Sequence, residues 1–149
     1  MRLFILALAV ATAQAVVAAE KAEKAEKAES DAEARKNLVG VWKGRVDDGA
    51  TGHVLKFTAK SISGTKDGRQ DLGTGIFKLD LTATPRHMDA KGTKGSQKGR
   101  AYLGIFSLEE DILKWCVSLP GAQRPTEFAT KEGQFLLILK RQKAKEKEK

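Results

Sequence analysis

LVGVWKG, residues 38–44, opens the first β-strand of this chain, and LILKR, residues 137–141, closes the last. Between them lie short alternating strands cut by glycine-rich turns, the pattern of an antiparallel β protein. Trp42 and Val46 share one face of the first strand, and Leu55 and Phe57 share one face of the second, after the Asp47-Asp48-Gly49 turn signal. Ile62 is the single apolar residue of a weak third strand. The fourth is stronger: Phe77, Leu79 and Leu81 fall on one face, Lys78 and Asp80 on the other. Further strands follow at His87 to Ala90, Tyr102 to Leu108, Ile112 to Leu119 and Gln134 to Arg141, with Glu109-Glu110-Asp111 as a tight turn. Eight antiparallel strands predict a small closed barrel rather than a two-sheet sandwich, because closure removes the exposed edges.

Outward from this core, Met1-Arg2 and the apolar run Leu3 to Ala13 have the form of a secretory signal, with small residues at Val17 and Ala19 placing cleavage before Glu20. Ala13 and Ala15 offer an earlier site. The run is shorter than the roughly 20 residues of a spanning helix, so no stable membrane insertion is expected after cleavage. Export places the protein in the periplasm or outside the cell. Residues 20–36 (EKAEKAEKAESDAEARK) repeat every three positions, a period that drifts around a helix and builds no apolar stripe. They read as a charged, helix-compatible spacer, and 143–149 as a charged tail. The domain itself is expected at 37–142.

With 27 Lys and Arg against 19 Asp and Glu, the 149-residue chain carries a net charge of +8. Acidic partners are drawn toward it. The densest basic element, residues 91–100, holds Lys91, Lys94, Lys98 and Arg100 without an acid, and is expected as a long loop able to attract anions. It lacks aromatics for base stacking, so nucleic acid is not an expected partner. Cys116 is the single cysteine and cannot close an intramolecular disulfide. Alternation places it opposite Trp115, partly exposed and suited to intermolecular pairing.

The stretches LVGVWKG, GIFKLDLTATPRHMD (75–89), LGIFSLEEDILKWCV (103–117), RPTEF (124–128) and LILKR together resemble a planctomycete-type secreted lipocalin-like domain family of unknown function. The resemblance implies an eight-stranded lipocalin-like barrel and no known activity. For Trp42 and Arg141 it implies a structural pairing, with the ring closing the barrel floor and the guanidinium lying across it. In RPTEF, Arg124 is expected to bond loop carbonyls and Phe128 to pack under the rim, with a ligand clamp by Arg124 as the sharper option.

The short strands predict an interior filled by Trp42, Phe57, Phe77, Phe106, Trp115 and Phe135. Alternatively, an open mouth would admit a flat apolar molecule, with Phe57, Phe77, Phe106, Trp115 and Arg124 as its contacts. His53, in phase with Leu55 and Phe57, reads as a rim residue. His87 and Asp89 share a strand face, but no third ligand is evident for a metal, and neither histidine lies in a nucleophile motif. The expected function is a non-catalytic binding module for a small apolar or anionic ligand, without cofactor or metal. Its rival is a filled barrel that docks an envelope protein.

Overall fold

The computed structural model describes residues 31–47, 49 and 52–143. The expected signal 1–19, residues 20–30 of the spacer and most of the tail lie outside the described residues. Residues 31–38 are helical (α1). Nine strands follow: β1 Gly40–Val46, β2 Gly52–Phe57, β3 Ser61–Lys66, β4 Gln70–Asp80, β5 His87–Lys94, β6 Ala101–Tyr102, β7 Gly104–Glu109, β8 Ile112–Ser118 and β9 Gln134–Arg141.

Every strand pairing is antiparallel. The sheet runs β4-β3-β2-β1-β9-β8-β7-β5, and a β4–β5 pairing closes it. β6 and β7 both pair with β5 and flank Leu103, so they act as one interrupted stave of an eight-stranded, lipocalin-like barrel. The weak third strand at Ile62 is real. It pairs on both sides because its neighbours supply the apolar face it lacks. Register shifts at Gly64/Thr65 and Thr74/Gly75 bend the sheet where small residues permit the curvature that closure requires.

One end of the barrel is packed solid. Trp42, Phe57, Phe77, Met88, Leu113 and Leu139 are buried there, with Phe57 and Phe77 edge-to-face at 5.4 Å. Helix α1 lies beneath them. Its last residue, Leu38, is fully buried in the same core, and the Leu38 carbonyl accepts a 2.8 Å bond from the Trp42 indole N–H. Arg141 stands over the Trp42 ring at 4.3 Å and donates to the carbonyls of Val39 (2.9 Å) and Asn37. The last carbonyls of a helix have no partner within it and carry its negative dipole end, so an indole N–H and a guanidinium are well matched to them. Arg35 anchors the other side of α1. Its guanidinium lies 4.7 Å from the Phe77 ring centre and donates to Ala59 (3.2 Å) and Phe77 (3.3 Å) carbonyls. Residues 31–36 of the expected solvated spacer are thus helical, and Arg35 ties them to the barrel.

The outer face carries a second, smaller core. Residues 119–133, which connect β8 to β9, cross the outside of β7–β9 as a strap, and Phe128 packs on Ile105, Cys116 and Leu136. Arg124 fixes the strap by a two-pronged ion pair with Asp89 of β5 and a 2.8 Å bond to the Gly104 carbonyl. Phe128 therefore lies on the barrel wall, not under its rim as expected. Cys116 does face away from Trp115, but the strap buries it completely, against the expectation of a partly exposed thiol. Alternation along a strand reports a side, not what covers that side.

Candidate functional site

The half of the barrel opposite α1 is hollow, holding a cavity of about 260 Å³. The filled interior expected from the aromatic content holds only for the closed half. The division follows side-chain size. In the closed half the inward positions carry Trp42, Phe57, Phe77, Met88 and Phe106, whereas at the mouth they include Gly64, Thr74, Ala90 and Gly92. Rings meeting from several strands fill the first set, and methyls or hydrogens cannot fill the second.

Trp115 marks the boundary. Its indole N–H donates 3.0 Å to the Met88 carbonyl of β5, reaching across β7 at Gly104. A Cβ at Gly104 would stand 2.5 Å from the indole nitrogen and 2.7 Å from that carbonyl, so this crossing depends on glycine. Once the N–H is satisfied, Trp115 offers the cavity an apolar surface. Leu55, Ile62, Val117 and Leu137 line the walls above it. Phe135 and His53, on β9 and β2, lie nearly parallel (16°) with ring centres 6.4 Å apart. His53 is buried and lines the cavity.

Polar groups reach the cavity at its rim. Tyr102 faces inward beside Ala90, its cross-strand partner, and its hydroxyl donates to the side-chain carbonyl of Gln97. Lys66, at the end of β3, and half-exposed Leu119 complete the mouth.

Of the five expected ligand contacts, Trp115 lines the cavity. Phe57, Phe77 and Phe106 belong to the packed half, a level or more below it, because strand phase predicts the inward face but not the depth. Arg124 is on the outer wall, committed to Asp89. That carboxylate is held below its ordinary range: burial raises it, but the bonds from Arg124 and the Gly104 N–H outweigh burial. Asp89 is thus engaged structurally on the face it shares with His87, and no group of three potential metal-binding side chains occurs among the described residues.

The basic segment is not a single long loop. Lys91 and Lys94 belong to β5, and the remainder folds back on it through Gly92 N–H to Arg100 O and Gly99 N–H to Gly92 O, both 2.9 Å. Lys91, Lys94, Lys98 and Arg100 are exposed. Sequence reading missed Gln97, Tyr102 and Leu55 as cavity residues. For Leu55 the signal was present, since it shares the phase of His53; for Gln97 there was none.

The fold and cavity define a lipocalin-like barrel, closed by a helix at one end and hollow at the other. No family model, curated protein or solved structure matches the chain.

Proposed function

We propose that this protein is an exported, non-catalytic binding module that takes a small apolar or anionic ligand into the mouth half of its barrel. The supporting observation is the cavity of about 260 Å³, lined mainly by apolar side chains and open beside Lys66 and Leu119. A dry cavity of roughly 150 Å³ suffices for benzene, so this one suits a compact ligand of one or two rings. Drug-sized sites begin near 300 Å³. An anionic group on such a ligand would meet Lys66 at the rim, and the exposed cations of 91–100 would raise the local potential.

Export to the periplasm or exterior rests on residues 1–19, and the five matched stretches support membership of the planctomycete-type family. Intact-mass and N-terminal analysis of secreted protein should begin at Glu20. Native mass spectrometry of protein purified from its own compartment should show a bound small molecule, and a fluorescent apolar probe should be taken up by the emptied barrel. An empty protein that also refuses the probe would leave the envelope-protein docking reading in its place.

A further inference from the structure

We infer that Tyr102 and Gln97 form the polar selector of this cavity, favouring flat aromatic ligands that carry a neutral hydroxyl over their purely apolar counterparts. The inference rests on the ligand-binding reading above and specifies the ligand class.

The two residues come from different segments and meet at the cavity wall. Tyr102 is directed inward by its pairing with Ala90. Gln97 sits at the tip of the returning segment and is the partly buried residue between exposed Ser96 and Lys98. That segment is a built lip. Gly95 and Gly99 adopt φ values of +83° and +80°, which L side chains rarely reach, and so turn the chain on either side of Gln97. Bonds from Lys98 N–H to Gly95 O (3.1 Å) and from Arg100 N–H to Gln97 O (3.0 Å) hold the lip, along with those to Gly92. Its cations are exposed, while Gln97 is partly buried and lines the cavity.

The hydrogen-bond inventory then determines what the pair can recognise. Tyr102 donates its only proton to Gln97, which leaves the phenolic oxygen able to accept. The Gln97 amide nitrogen has two protons and, among the described residues, only a long 3.5 Å contact to Ser96 Oγ. A ligand hydroxyl both donates and accepts, so it can bond both groups at once. A carboxylate can only accept and would leave the phenolic oxygen without a donor. Trp115, Phe135 and His53 line the same cavity, and aromatic lining of this kind suits a flat body.

The matched probes are naphthalene and 2-naphthol, titrated by fluorescence against the purified wild-type protein and the Tyr102→Phe and Gln97→Met variants. A net hydrogen bond predicts a wild-type preference for 2-naphthol of about fivefold. That ratio should fall in each variant and reach about one in the Tyr102→Phe/Gln97→Met double variant, with thermal melts verifying that each is folded. Equal affinities in wild type, or a preference undiminished in the double variant, would overturn the selector while leaving the cavity as a binding site. Failure of wild type to bind either probe would sink the selector and the binding reading together.

Discussion

Arg141 and Trp42 are cross-strand partners on β9 and β1, and the guanidinium carbon of the first lies 4.3 Å from the ring centre of the second. The same guanidinium bonds two carbonyls at the end of α1 and, at 3.2 Å, the Asp111 carboxylate in the β7–β8 turn. One side chain therefore ties the first strand, the last strand, the helix and a turn at the closed end. Trp42→Ala should lower stability by about 3–5 kcal/mol, through the lost ring volume and the orphaned Leu38 carbonyl. Arg141→Lys keeps the charge but not the fork of donors and should cost about 1–2 kcal/mol. Urea melts check both, and an unchanged midpoint for Trp42→Ala would contradict the closed-end assignment.

The strap predicts a change in thiol access. Burial under 119–133 raises the Cys116 thiol above its usual range, with the Ala129 carbonyl 3.5 Å away, so folded protein should react slowly with a disulfide reagent. Arg124→Ala releases the strap from Asp89 and should speed labelling, at a stability cost of about 1 kcal/mol for a partly exposed pair. Equal labelling rates in the two proteins would show that the ion pair does not hold the strap down.

Asp89 makes that contribution pH-dependent. Its folded-state pKa lies below the unfolded value, so the stabilisation is present above about pH 4 and is lost as pH falls through the lowered value. Wild type should exceed Asp89→Asn in melting temperature near neutrality, and the gap should narrow as pH falls below about 4. A gap that widened on acidification would reverse the sign of the argument.

Filling the cavity separates binding from folding. Ala90 lies on the cavity wall and is nearly buried, with open space before it. Ala90→Leu should abolish uptake of an apolar probe while stability holds or rises by about 0.5–2 kcal/mol. Retained uptake would place the probe elsewhere on the surface.

Gly104 tests the floor of the cavity. Gly104→Ala drives a methyl into the indole nitrogen of Trp115 and the Met88 carbonyl, and overpacking of this kind costs about 1–3 kcal/mol. Tryptophan emission should shift with the melt, because the indole must move. Wild-type emission and stability in this variant would show that Trp115 does not cross β7 at that point.

Period-two alternation was enough to find the staves, including the interrupted one at Tyr102 to Leu108, and to assign Phe77 and Trp115 to the inward face. It was not enough to assign their depth: Phe77 fills the closed half while Trp115 borders the cavity. Nor could it show that a later segment would cover Cys116, or that Arg35 would leave its charged repeat to lie over Phe77. Gln97 was invisible as a cavity residue because a chain reversal, not a strand face, brings it there.

By itself the sequence determined that this chain builds an antiparallel barrel, since strand phase and turn chemistry are local properties written in neighbouring residues; the pairing of Trp42 with Arg141 was implied only by the family resemblance. Only the tertiary structure decided that half of the interior stays empty, that Tyr102 meets Gln97 at its edge, and that Arg124 serves the outer wall. Those outcomes depend on which side chains from distant strands arrive at one level, and packing is settled by their combined volume.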